Sequence, residues 1–155
     1  MRVGFGFDAH AFAEGRPLML GGVEVPYDRG LAGHSDGDVL IHAVLDAMLG
    51  AAGLGDIGGM FPSTDGRWKD ARSLDLLALA AKCVAEAGFG VGNVDATVVA
   101  EAPQLAPHIE AIKRAMGRAL NLDITRINVK ATTSDGMGFT GRGEGIAAFA
   151  VVLLE

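Results

Sequence analysis

Residues 2–10 alternate strictly, with Val3, Phe5, Phe7 and Ala9 on one side and Arg2, Gly4, Gly6, Asp8 and His10 on the other. A period of two predicts a strand. The apolar set is assigned to a core, and the second set to an open surface with two metal-capable side chains at its end. Leu18–Leu20 and Val23–Val25 flank Gly21-Gly22, which predicts a β-hairpin. The period then becomes helical. Ser35, with Asp38 three residues on, predicts a helix start; Leu40, Val44, Ala47, Met48 and Ala51 form an apolar stripe, and Gly53 predicts the stop.

Residues 54–70 show no periodicity and are expected to form an irregular loop, longer than most connections and therefore a candidate functional segment. A helix is predicted from Arg72 to Ala87, with Leu74, Leu77, Ala78, Ala81 and Val84 on its core face. A strand over Val94–Ala100, a turn at Pro103 and a helix over Pro107–Leu120 follow. The chain closes with a strand over Ile127–Thr133, a glycine-punctuated loop over 134–145 and a buried strand over Ile146–Leu154. With no repeat and no linker, this order predicts one domain over residues 1–155. Its class is α/β in the α+β sense: a mixed β-sheet with helices packed on one side, plus a β-hairpin.

Charge changes the picture of partners. The 13 Lys and Arg against 19 Asp and Glu leave a net charge of −6, and no basic cluster interrupts it, which argues against nucleic acid. An anionic ligand would have to be met by metals, a placed Arg or backbone N–H groups. The chain has no apolar run of membrane length, and its start reads directly into a strand without a targeting pattern, so a cytoplasmic protein is expected. Cys83 is alone, which excludes an internal disulfide, and its apolar helical setting predicts a buried thiol.

Three groups of residues carry candidate chemistry. Asp8 and His10 share a strand face, and His42 lies on a helical polar stripe with Asp38 and Asp46. Three ligands with an open fourth vertex suit a catalytic zinc site, with Asp46 or Asp38 orienting the His42 ring. Local patterning leaves equally open that each histidine merely decorates the surface. The second group, His34-Ser35-Asp36-Gly37-Asp38, stands at a helix start, where free N–H groups receive an anion or where Ser35 simply caps. The third, Thr132-Thr133-Ser134-Asp135 continued to Gly145 through Phe139 and Arg142, offers hydroxyls, a carboxylate for a hard cation and an Arg among glycines. An ordinary turn explains it as well.

Four stretches together, 4–12, 32–58, 93–103 and 128–146, resemble the 2-C-methyl-D-erythritol 2,4-cyclodiphosphate synthase family in order and spacing over nearly the whole chain. The resemblance implies a homotrimer with active sites between subunits. It implies Zn²⁺ on Asp8, His10 and His42, and Mg²⁺ or Mn²⁺ on Asp135 beside the substrate diphosphate. His34, with Ser35 next to it, and Thr133 match the transition-state positions. Asp56, Ile57, Gly58, Phe61, Ser63 and Asp65 match the methylerythritol side; Ala100, Pro103, Gln104, Ala106, Thr132, Phe139 and Arg142 match the cytidine diphosphate side.

The implied reaction closes a cyclodiphosphate within 4-diphosphocytidyl-2-C-methyl-D-erythritol 2-phosphate and releases CMP. An association with the pathway's cytidylyltransferase is compatible with the resemblance. Three positions depart from the usual pattern: Gln104 where Lys is frequent, Asp135 where Glu is common, and Ser63 where Asp is frequent. Two rival readings are a zinc hydrolase and a non-catalytic module that binds isoprenoid diphosphates.

Overall fold

The computed structural model describes residues 1–155. Strand β1 (Arg2–Ala13), hairpin strands β2 (Leu18–Leu20) and β3 (Val23–Val25) and the short β4 (Gly30–Leu31) lead into helix α1 (Val39–Ala52). A one-turn helix α2 (Ile57–Met60), helix α3 (Ser73–Glu86), strand β5 (Val91–Val99), helix α4 (Ile109–Leu120), strand β6 (Ile127–Thr132), a one-turn helix α5 (Gly138–Gly141) and strand β7 (Gly145–Leu154) follow. Five strands form one sheet in the order β4-β1-β7-β5-β6, and β2 pairs only with β3. The sheet is mixed: β5 and β6 run parallel, joined through α4, while β1–β4, β1–β7 and β5–β7 are antiparallel.

The expected class and the hairpin are both present, and the hairpin sets Leu18 opposite Val25. The facing of β1 is not as expected. Val3, Phe5 and Phe7 are 67%, 64% and 47% exposed, whereas Gly4 and Gly6 are buried. The cause is helix α1, which packs on β1 and β7 with almost no side chain between the backbones. A Cβ built on Gly4 would stand 1.8 Å from the Ala47 carbonyl oxygen, and one on Gly6 2.0 Å from that of Ala43. Only glycine permits that approach. The buried face of β1 is therefore its glycine face, and Asp8 and His10 continue that face toward the helix start. Strand β7 is likewise only half covered, since Phe149 and Val151 are exposed on the face they share with Phe5 and Phe7.

Helix α1 is the centre of the core, with twelve of its fourteen residues buried. It starts at Asp38, four residues before His42, and not at Ser35. The Asp38 carboxylate accepts from Ile41 N at 3.1 Å, Gly21 N at 2.9 Å, Gly22 N at 2.6 Å and Ser73 Oγ at 2.8 Å. A carboxylate can take four donors at once and a hydroxyl cannot, so Asp38 caps the helix and ties in the hairpin and α3. Gly53, with φ 73°, ends the helix as predicted.

Helix α3 buries Ser73, Leu76, Leu77, Ala80 and Val84. Its face is thus rotated from the predicted one, and Ala78 is exposed. The 54–70 stretch is less irregular than expected, holding α2 and a 3-10 turn at Gly66–Trp68. The 134–145 loop similarly holds α5. Cys83 is half-buried rather than enclosed. No helix is long and apolar enough to cross a membrane.

Candidate active site

Where glycine gives way to Asp8 and His10 on β1, helix α1 presents His42. The two elements run side by side with Gly6 against Ala43, so the residue one position earlier on the helix meets the strand position two residues later. His10 Nε2 lies 2.7 Å from Asp8 Oδ2, His42 Nδ1 lies 3.1 Å from the same oxygen, and the two nitrogens are 3.1 Å apart. These three donors form a group able to hold a metal ion. Tetrahedral zinc with bonds of about 2.0 Å needs ligand separations of roughly 3.3 Å, so the Asp8–His10 atoms have to part by about 0.6 Å and the other two pairs by about 0.2 Å.

The outer nitrogens are committed elsewhere, which is what a metal site requires. His10 Nδ1–H donates to the Ala32 carbonyl, and His42 Nε2 shares a hydrogen bond of 3.1 Å with Ser35 Oγ. The inner nitrogens are thereby left to a metal ion or, without one, to hydrogen bonds with the Asp8 carboxylate. The orienting role expected of Asp38 or Asp46 falls to Ser35 instead. Asp38 is occupied as a cap, and Asp46 Oδ1 accepts from Ile57 N at 2.8 Å, which anchors α2 beside the site. The loop carrying His34 is pinned from below, since Arg16 donates to the Gly33 carbonyl at 2.8 Å and to the Ser35 carbonyl at 2.5 Å.

Electrostatics follow from this packing. Burial alone would raise the Asp8 carboxyl, but hydrogen bonds from His10 and His42 and their charge hold it far below the usual carboxylate range. His10 moves the other way: burial disfavours its charge, and the Asp8 carboxylate overrides that and raises it above 6.5. Burial pushes Asp46 up as well.

A cleft of about 380 Å³ opens over the group, walled by His34 and Ser35 on one side and by Ile57, Gly58, Phe61, Ser63 and Trp68 on the other. A second cavity of about 450 Å³ is lined by Ala100, Glu101, Pro103, Gln104, Ala106, Thr132 and Thr133. The two share no lining residue. Asp56, Asp65, Asp135, Phe139 and Arg142 line neither. Asp56 caps α2 through Gly59 N at 2.7 Å, and Asp65 pairs with Arg67 at 2.6 Å. Asp135 is exposed, accepts from the Thr133 hydroxyl at 3.2 Å and has φ 53°. Phe139 stands with Ala9, His10, Ala11 and Glu144 around a shallow third cavity, and Arg142 pairs with Glu144 at 2.7 Å.

Two contributors carried no assignment from sequence. Trp68 packs edge-on against Phe61, with ring centroids 5.0 Å apart, and walls the first cleft. Its signal was available, because a lone Trp in a polar, aperiodic stretch has to dock on something. The Ala32 carbonyl had no signal at all, being backbone.

Residues 1–155 match the YgbB family. The chain is similar to a curated relative from Syntrophobacter fumaroxidans, 2-C-methyl-D-erythritol 2,4-cyclodiphosphate synthase, at 58% identity over 155 residues, covering 100% of this chain and 98% of the relative. Among solved structures it is similar to the bifunctional IspDF of Campylobacter jejuni, with TM-score 0.95 and 49% identity, covering 99% of this chain but 42% of that longer one. It is also similar to a 2C-methyl-D-erythritol-2,4-cyclodiphosphate synthase in a CDP-bound form, with TM-score 0.91 and 40% identity, covering 99% of this chain and 100% of the other.

Proposed function

Since the chain belongs to the YgbB family, we propose how its own residues carry out the family's reaction. The chain converts 4-diphosphocytidyl-2-C-methyl-D-erythritol 2-phosphate to 2-C-methyl-D-erythritol 2,4-cyclodiphosphate and CMP, a lyase step of isoprenoid biosynthesis. The observation that carries the residue-level reading is the convergence of Asp8, His10 and His42 on one point at the floor of a cleft.

In this reading those three residues hold Zn²⁺, and Asp135 holds Mg²⁺ or Mn²⁺. Bound there, the ions would supply the positive charge that lets two anionic phosphate groups approach in an acidic protein. The attacking 2-phosphate is already anionic near neutral pH, so the chain has to position it and does not need a strong general base. His34 and Ser35 flank the first cleft and present donors to phosphate oxygen, with His34 and Thr133 stabilising the in-line transfer. Asp56, Ile57, Gly58, Phe61, Ser63 and Asp65 form the methylerythritol side. Ala100, Pro103, Gln104, Ala106, Thr132, Phe139 and Arg142 form the cytidine diphosphate side.

One substrate has to reach both clefts, and that motivates the assembly. Residues 1–155 act as one catalytic domain in a homotrimer, the first cleft of one subunit meeting the second cleft of its neighbour. Support comes from the uncovered sheet face. Phe7 and Phe149 stack at 5.0 Å there, with Val3, Phe5 and Val151 exposed beside them, an apolar patch that a lone subunit would leave in water. The Campylobacter chain, of which this fold is 42%, supports an association with the pathway's cytidylyltransferase. Action in the cytoplasm is part of the same proposal.

The test is a ³¹P NMR assay of the purified protein with the cytidyl substrate, Zn²⁺ and Mg²⁺. CMP and the cyclic product should appear in equal amounts. CMP together with a linear 2,4-bisphosphate lacking any P–O–P linkage would mark a hydrolase, and bound substrate without CMP release a binding module.

A further inference from the structure

We infer that Glu101 is a positioning residue for this reaction, acting through the backbone on either side of Asp135. The inference rests on the reading of Asp135 as the holder of the second metal ion. Asp135 sits at φ 53°, in the left-handed region that a non-glycine residue rarely occupies without outside support. That support comes from a distant part of the chain. The amides of Ser134 and Gly136, one before and one after Asp135, both donate to Glu101 Oε1, at 3.1 and 3.2 Å. Ser134 Oγ lies 3.3 Å from the same oxygen and makes shorter contacts with the Met137 carbonyl at 2.6 Å and Thr140 Oγ1 at 2.8 Å.

Two amides converging around one left-handed residue make a cradle for an anion. Left free, that cradle would compete with an Asp135-held cation for the substrate's phosphate oxygens. Glu101 fills it from within the chain. The amides are therefore satisfied, and the Asp135 carboxylate is left as the polar group the loop presents, met only by the Thr133 hydroxyl at 3.2 Å. Glu101 also lines the 450 Å³ cavity beside Ala100 and Pro103, and Ala100 N donates to the Thr132 carbonyl at 3.0 Å. One side chain thus couples the wall of the nucleotide side to the loop proposed to carry the cation.

The acceptor oxygen, and not its charge, is what the two amides use, so a neutral amide oxygen at the same place would serve nearly as well. The experiment uses zinc-loaded protein with CDP present and reads free Mn²⁺ by electron paramagnetic resonance, alongside the Mg²⁺ dependence of turnover. Glu101→Ala should weaken Mn²⁺ binding about tenfold, the scale of losing a hydrogen-bond acceptor. Its turnover should recover in excess Mg²⁺, and its zinc content should match the parent. Glu101→Gln keeps the acceptor and should stay within about threefold of the parent.

Parent-like Mn²⁺ binding by Glu101→Ala overturns the inference. So does a Glu101→Gln protein as impaired as the alanine variant, because the charge would then act directly and not through the loop. Asp135→Ala separates the two layers. It should abolish the Mn²⁺ signal change; if it binds Mn²⁺ like the parent, the reading of Asp135 fails and the inference fails with it.

Discussion

The Asp8–His10–His42 centre and the 132–142 segment are both polar clusters at the ends of strands, yet one chain completes only the first. The metal centre is assembled from β1 and α1, two elements locked by backbone-to-backbone packing at Gly4 and Gly6. Its outer nitrogens already have partners in Ala32 and Ser35. The 132–142 segment is exposed. Its Arg is spent on Glu144, and its Asp135 touches only Thr133. The contrast teaches that preorganisation comes from burial. A site made by packing two core elements exists before ligand arrives, whereas a site on a glycine loop is finished by substrate and by a second surface.

Breaking the metal centre should have the largest effect. Asp8→Ala or His42→Ala should lower turnover by about 10³-fold and release zinc, while the fold persists, as circular dichroism and metal analysis would report. Next comes the packing that builds the centre. Gly6→Ala places a methyl group 2.0 Å from the Ala43 carbonyl oxygen, so it should cost about 3 kcal/mol in denaturant unfolding, the upper end of overpacking penalties. It should also weaken zinc binding although it touches no ligand. An unchanged stability would show that β1 and α1 can separate freely, and the contrast between the two regions would lose its basis.

The pH response sharpens the same comparison. In metal-free protein the Asp8–His10 pair has Asp8 lowered and His10 raised. Its stabilisation is complete between the ordinary values of 3.8 and 6.5, is lost as pH rises through the raised His10 value, and is lost at the acid end as Asp8 protonates. Zinc reverses the upper slope, because it competes with the His10 proton. Thermal stability across pH 6.5 and above should therefore fall without zinc and rise with it. The smallest effect is expected in the second region. Gln104→Lys adds a cation to the nucleotide cavity and should lower KM a few-fold, with kcat unchanged in steady-state kinetics.

Much of the fold was legible. The hairpin, the end of α1 at Gly53 and the strands near Val94, Ile127 and Ile146 follow from local period and turn chemistry, and the structure departs from them by a few residues at most. The facing of β1 was illegible, because hydrophobicity was equated with burial. Here the core side is glycine, and Phe5 and Phe7 face outward. Helix α3 misled for a related reason: alanines surround it, so the apolar stripe has little contrast. The cap at Asp38 depends on Gly21, Gly22 and Ser73, partners far away in sequence.

In the site, strand spacing suggested the Asp8 and His10 pair, and a helical polar stripe suggested His42. The 54–70 loop and the 132–145 segment stood out locally for their length, carboxylates, hydroxyls and Arg142, but an ordinary loop explained them as well; their division between two substrate sides, and the 100–106 positions altogether, came only through family resemblance. The supporting contacts from Arg16 and Glu101 are long-range and fall in no single window, and Ser35 reaches His42, seven residues on, only because the chain turns into α1 between them.

The most direct test of the metal centre is anomalous X-ray diffraction recorded on either side of the zinc absorption edge. One strong peak should lie in the first cleft within bonding distance of Asp8 Oδ2, His10 Nε2 and His42 Nδ1, and vanish in the His42→Ala protein. A fully active crystal with no peak there, or with the metal held by other side chains, would contradict the account.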